Sequence, residues 1–364
     1  MHKSPLHDVF ASYGAVFEDR AGYAVAVRTL GAEEEANAIR SEVGLWDNSD
    51  IGKIRIKGDG ARELVDKTVS GNIEGLPENA IRYTLVLDDD GRIISDVQVY
   101  NNFGEYLVTC GAPRKERVLD ALIANNVDGA EIEDVSDKYA AICIEGPKAW
   151  KITALFTDLD LRSLRLLTFS ECIAGGTKAL LARIGYCGEF GYMLLVAPEA
   201  AVPVFDELRK LVPEAVLCGR DIQDLLRLEV RSFNLEKDVP DNASPLEAGL
   251  HWMIDFRKTE FPGRERLIKE KDDGISRKLV AFELAKPQAG AGLGAVRDGV
   301  DTVGRVVNFD YSARRGRTIG LAYLDENYGW PGVDLEVDSE VGVVPIRTVS
   351  APFVLTESNR VQIP

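Results

Sequence analysis

Histidine and cysteine are scarce in this chain of 364 residues, with only three of the former (His2, His7, His251) and five of the latter (Cys110, Cys143, Cys172, Cys187, Cys218). None of them stand in pairs at ligand spacing, so no closed zinc site can be read and no metal is expected. The wide intervals and mostly apolar surroundings of the cysteines fit reduced core thiols better than a disulfide frame. No apolar run approaches the roughly 20 residues that a membrane helix requires. The opening MHKSPLHDVFAS lacks the apolar centre of a secretory signal. Both absences point to a cytoplasmic protein without a membrane partner. Positive charge is also short, with 43 Lys and Arg against 59 Asp and Glu and a formal net charge of -16. That balance repels a phosphate backbone, and nucleic acid is not expected as a partner. What is abundant is ordinary: 45% hydrophobic and 28% charged residues, enough to bury the cores of roughly two or three domains.

Along the chain, Glu33 to Val43 has helical periodicity, and Gly44 punctuates it before the strand-like Ile51 to Gly58. Asp59 to Val69 reads as a helix capped by Asp59, and Glu105 to Cys110 as a strand. Arg114 to Asn125 is an amphipathic helix with Val118, Leu119, Leu122 and Ile123 on one face. Counting Glu131 to Val135 or Tyr139 to Ile144 gives the order β-α-β-β-α-β, the split βαβ of ferredoxin-like folds. The order recurs loosely through Ala140–Ile144, Pro147–Phe156, Thr168–Ile173, Ala179–Ile184, Tyr192–Val196 and Ala200–Leu211. From about Arg277 the segments RKLVAFEL, VGRVVNF, RTIGLAYL and VGVVPIRTV have almost no helical periodicity and suggest a small all-β barrel. The charged stretch Ile268 to Arg277 reads as a linker or a solvated helix end. The Gly-rich Gln288 to Gly299 lacks the Lys-Ser/Thr ending of a phosphate loop and reads as a flexible barrel loop.

The segment Ile81 to Tyr100, IRYTLVLDDDGRIISDVQVY, carries the most chemistry. It is a hairpin whose turn, Asp88-Asp89-Asp90-Gly91, is rich in residues that tolerate positive φ. On the returning strand, Ile94, Asp96, Gln98 and Tyr100 share one face, and Ile93, Ser95, Val97 and Val99 the other. Strand chemistry alone leaves Asp96 either solvated or in a pocket, and Tyr83 and Tyr100 either packing aromatics or site residues.

Six segments in order, this hairpin with VGLWDNSD (Val43–Asp50), ICIEGPKA (Ile142–Ala149), RIGYCGEFGY (Arg183–Tyr192), RLEVRSFNLEKDVPDNASPLEAGLHW (Arg227–Trp252) and FPGRERL (Phe261–Leu267), resemble the glycine-cleavage T-protein (aminomethyltransferase) family over nearly the whole chain. The resemblance implies an α+β fold of two ferredoxin-like domains and a C-terminal β-barrel, arranged as a three-domain ring around a channel that holds tetrahydrofolate. Residues 1–275 would form the folate-binding region, the first ferredoxin-like unit at about 51–138, and residues 276–364 the barrel. Asp96 matches the family's essential aspartate near folate N5, and with Tyr83 forms the expected catalytic pair. Tyr83 and Tyr100 match aromatic positions lining the folate, Tyr186 the tyrosine of the GYTGE motif, and Arg227 an arginine at the channel. The bland alternative for Arg227 is an ion pair with Glu229 or Asp238.

Departures from the family pattern cluster on the substrate side. Met193 stands where a glutamate pairs with the pterin ring, and a thioether cannot accept two N–H donors. Either folate recognition is altered, or Glu189 or another acid takes over. FEDRAGYAVAVRTLG replaces the FAGW-type motif, and Asp50 stands where a histidine is usual. Cys187 replaces the usual threonine in a Gly-flanked turn, with no nearby histidine to lower its pKa. The expected function is a tetrahydrofolate-dependent methyl or aminomethyl transferase or demethylase acting on a small methylated or amine donor, as a monomer or homodimer. The alternative is a folate-independent lyase or hydrolase on the same fold, with Asp96 as general base.

Overall fold

The computed structural model describes residues 1–284, 292–361 and 363. The chain forms two compact units, one of Met1–Val86, Ile94–Gln223 and Thr356–Pro364, the other of Leu87–Ile93 and Asp224–Leu355. The fold is α+β, with two helix-covered sheets in the first unit and a closed six-stranded barrel in the second.

The first sheet runs Ile81–Leu87, Ile93–Asn102, Glu105–Cys110, Gly52–Lys57, Glu131–Asp134 in spatial order. Gly52–Lys57 pairs antiparallel with both of its neighbours, as the split βαβ arrangement requires. Period-2 patterning orients the strands: Ile54, Ile56, Val97, Val99 and Val108 bury on one side against Leu64, Val65, Val118 and Leu122 of the helices Ala61–Thr68 and Lys115–Ala124. Each such side chain taken from water contributes about 1.5–3 kcal/mol. That commitment turns Asp96, Gln98 and Tyr100 to the face away from the helices. Asp59 does not cap its helix; the N-cap is Gly60, without a side-chain bond.

The second sheet runs Phe169–Ala174, Thr177–Ala182, Gly191–Val196, Ala140–Glu145, Gly44–Asp47, Val216–Leu217. Ile142, Ile144, Tyr192, Leu194 and Val196 pack beneath the helices that contribute Ala149, Phe156, Val204, Phe205 and Leu208. Gly44 is therefore more than punctuation: it opens a strand that enters this sheet between Ala140–Glu145 and Val216–Leu217. Upstream, a hairpin of Val16–Arg20 with Tyr23–Arg28 occupies the divergent N-terminal segment.

In the second unit the barrel closes in the order Arg277–Leu284, Arg317–Asp325, Asp301–Ser312, Leu293–Asp298, Asp334–Ser339, Gly342–Val349. Leu293–Asp298 is a barrel strand, so the Gly-rich stretch is not all loop; residues 285–291 fall outside the described ones. The charged stretch Ile268 to Arg277 is, as its helix-end reading expects, the last part of the helix Arg264–Asp273, ended by Gly274 at φ +88°. The hairpin turn Asp88–Gly91 belongs to this unit, where Gly91 takes φ +74°. No helix among the described residues is long and apolar enough to cross a membrane.

Candidate active site

Three of the residues singled out from the sequence meet in the first unit. Tyr83 Oη donates to Asp96 Oδ2 at 2.7 Å and lies 3.4 Å from Tyr186 Oη. Tyr83 and Asp96 come from adjacent strands of the first sheet, whereas Tyr186 comes from the turn between two strands of the second. Burial, with the Asp96 charge beside it, pushes the Tyr83 phenol well above its usual range. Tyr83 therefore stays protonated and remains a donor. The carboxylate is only half-buried, held on one oxygen by a neutral phenol.

The turn carrying Tyr186 is fixed from below by Glu145, a residue not singled out from the sequence. Glu145 Oε2 accepts from the backbone N–H of Tyr186 and of Cys187, each at 3.2 Å, and from Cys187 Sγ at 2.7 Å. Burial raises the Glu145 pKa above the usual carboxylate range. Its strand register explains how it fits: Glu145 lies opposite Gly44 on one side and Gly191 on the other, so no cross-strand side chain competes for the space. A Cβ on Gly191 would come within 2.4 Å of Gly185 Cα, so only glycine lets the turn sit this close. The sequence did hold a signal for Glu145, a lone acid closing the otherwise apolar strand AAICIE.

The remaining predicted residues are placed differently. Tyr100 is fully buried, its ring 5.3 Å from that of Phe169 and its hydroxyl 3.3 Å from Gln98 Oε1. Met193 is 2% exposed, in register with Cys143 and Ala182. Glu189 is enclosed: Oε1 meets Arg40 Nη1 at 3.3 Å, and Oε2 accepts from Ser358 N and Oγ at 3.0 and 2.7 Å. Arg40 also donates to Cys187 O at 2.6 Å. Arg40 and Ser358 were not legible as site-forming residues. Cys187 is itself fully buried, and burial pushes its thiol well up, so the turn holds no reactive thiolate. Arg227, in the second unit, pairs with Asp238 and donates to Ser232 O at 3.3 Å, while among the described residues its Nη2 and its Nε, 3.6 Å from Asp224 Oδ1, have no hydrogen-bond partner. Asp50 pairs with Arg220 at 2.7 Å. Among the described residues, no three His, Cys, Asp or Glu side chains gather as metal ligands.

Comparison with known proteins adds relatives to this geometry. The GCVT N-terminal domain matches residues 6–258, and the glycine cleavage T-protein C-terminal barrel domain matches residues 277–354. An aminomethyltransferase of Halothermothrix orenii is 32% identical over 360 residues, covering 97% of this chain and 100% of its own. One of Saccharopolyspora erythraea is 32% identical over 358 residues, covering 96% and 97%. The crystal structure of glycine cleavage system aminomethyltransferase T from Bartonella henselae superposes with a TM-score of 0.88 at 20% identity, covering 97% of this chain and 98% of that one, a likeness of fold.

Proposed function

The chain belongs to the glycine-cleavage T-protein family, and from that premise we propose that it is an aminomethyltransferase-like enzyme moving a one-carbon unit from a small methylated or amine donor to tetrahydrofolate. The observation that carries this reading is the Tyr83–Asp96 pair beside Tyr186: a half-buried carboxylate oriented by a phenol that stays protonated. Asp96 is the group suited to pair with a cationic donor, to stabilise positive charge developing on it, or to take a proton at a carboxylate oxygen. Tyr83 fixes the rotation of that carboxylate through Oδ2. Tetrahydrofolate, when bound, would supply the N5 nitrogen that accepts the one-carbon unit.

The donor and acceptor set of the first unit fits such a ligand through Glu145 rather than through Met193 or Glu189. Cys143 and Met193 are cross-strand neighbours, and Glu145 lies two residues beyond Cys143 on the same strand, so Glu145 and Met193 share one sheet face. All of Glu145's hydrogen bonds arrive at Oε2, leaving Oε1 for a ligand N–H. Glu189 has both oxygens occupied. In this reading Tyr186 lines the ligand's aromatic part, whereas Tyr100, fully buried against Phe169, packs behind it, and Arg227 offers Nη2, without a hydrogen-bond partner among the described residues, to an acidic or carbonyl group within its own unit.

Calorimetric titration with tetrahydrofolate tests the proposal. Saturable binding at micromolar concentration, weakened roughly tenfold or more in Glu145→Gln through the loss of one charge-assisted hydrogen bond, is expected. No binding at millimolar folate would instead favour the folate-independent lyase or hydrolase, with Asp96 as general base.

A further inference from the structure

In the first unit, two residues that are not glycine hold a left-handed backbone on either side of one β-bridge. They are Asn79 at φ +60° and Leu167 at φ +59°, and the bridge pairs Ala80 with Thr168. Asparagine visits that region readily, because its short polar side chain bonds locally. Leucine has no such compensation, and a side chain that is 37% exposed is not locked into the core either. Leu167 therefore carries a conformational cost, and residues held in this way concentrate at functional sites.

What holds Leu167 there is its own peptide groups. Its carbonyl accepts from Ile81 N–H at 2.8 Å, and its N–H donates to Arg183 O at 3.0 Å. The neighbouring residues complete the joint: Arg183 N–H donates to Thr168 O at 2.9 Å, and Phe169 N–H to Asn79 O at 2.9 Å. Arg183 Nη1 also donates to Leu164 O at 2.8 Å, so the segment is braced by a side chain as well.

The two partners of Leu167 lead directly to the candidate site. Ile81 opens the strand Ile81–Leu87 of the first sheet, and Tyr83 stands two residues along it on the same face. Arg183 follows the strand Thr177–Ala182 of the second sheet, three residues before Tyr186. A backbone path thus runs from Tyr83 back to Ile81, across one hydrogen bond to Leu167, across a second to Arg183, and on to Tyr186. It joins two hydroxyls that lie 3.4 Å apart although 103 residues separate them in sequence. The φ and ψ of Leu167 fix the angle between its N–H and its C=O, so a change to negative φ would swing one of the two bonds out of line.

We propose that Leu167 is a positioning residue, whose left-handed backbone is the spacer that sets the Tyr83–Tyr186 separation and, through Tyr83, the orientation of Asp96. The inference rests on the one-carbon reading for what the tyrosine pair does, and on the joint alone for how the pair is held.

The test uses the full chain, free of ligand, with 13C at the tyrosine Cζ, whose resonance reports the hydrogen bonding of the phenol. Tyr83→Phe and Tyr186→Phe assign the two signals, and Tyr13 and Tyr323 serve as controls. Leu167→Val, whose β-branch disfavours positive φ, should shift both signals and leave the controls in place; Leu167→Asn, which accepts positive φ, should shift neither. Leu167→Ala and Leu167→Gly lose the same side chain and differ in tolerance of φ, which keeps the test decisive should Leu167→Val not fold. The glycine protein should melt above the alanine protein, and both should keep the wild-type signals. Unmoved signals in a folded Leu167→Val, a shift shared by the controls, an equal shift in Leu167→Asn or Leu167→Ala, or an alanine protein melting above the glycine one would overturn the spacer. No turnover and no folate enter the readout, so its failure leaves the one-carbon reading standing, and a failed folate titration leaves the spacer standing.

Discussion

Two carboxylates of the first unit, Asp96 and Glu189, are both candidate site residues in sequence and are opposites in structure. Asp96 is half-buried and held on one oxygen by a neutral phenol. Glu189 is enclosed, faces a guanidinium, and has its second oxygen taken by two donors of Ser358. A buried charge with both oxygens engaged fixes local geometry and has little capacity left for a ligand. The Asp96 carboxylate is less enclosed and has an uncharged donor, the Tyr83 phenol, on one oxygen. On the proposed reading, the first arrangement builds the wall of a site and the second performs its chemistry.

The sharpest way to break this comparison is Asp96→Asn, which should lower turnover by roughly a hundredfold or more while leaving the melting temperature nearly unchanged. Surviving activity would make Asp96 structural. Glu189→Ala should do the reverse, costing about 3–5 kcal/mol of stability by breaking the buried ion pair with Arg40, as read by denaturant unfolding. Turnover per folded molecule should fall far less than in Asp96→Asn. Tyr83→Phe, which removes the hydrogen bond and keeps the ring, should reduce kcat about tenfold with a stability change near 1 kcal/mol. The smallest effect concerns Glu145. Its folded pKa is raised above the unfolded value of 4.5, so the folded state binds the extra proton. The stability it contributes is full below that value and is lost as pH rises through the folded pKa. Glu145→Gln should flatten that decline, so melting curves of the two proteins collected upward from about pH 4.5 should diverge in favour of the variant.

What was legible in the sequence follows the range of the interactions involved. Period 2 fixed the face of Asp96, because Val97 and Val99 must bury on the other side. The hairpin brought Tyr83 to it over 13 residues. Tyr186 came from its motif. Arg40 and Ser358, however, meet Glu189 across 149 and 169 residues, and no local pattern announces such a partnership. Glu145 was quoted within a motif without being recognised as the support beneath Tyr186, since its role depends on glycines supplied by two other strands. The strand Gly44–Asp47 was missed for the same reason: four residues pair with Ala140–Glu145 and carry no periodicity of their own. Arg227 was left between a ligand contact and an ion pair, and the structure gives it an Asp238 partner and, among the described residues, two nitrogens without a hydrogen bond.

That inserted strand also sets an order of assembly. As the chain emerges from the ribosome, residues 52–134 can complete the first sheet by themselves. Gly44–Asp47 must wait about a hundred residues for Ala140–Glu145, and Val216–Leu217 closes the parallel edge later still. The second sheet thus incorporates a segment synthesised before the first, and a chain begun after residue 50 would expose the edge of a strand buried along its full length.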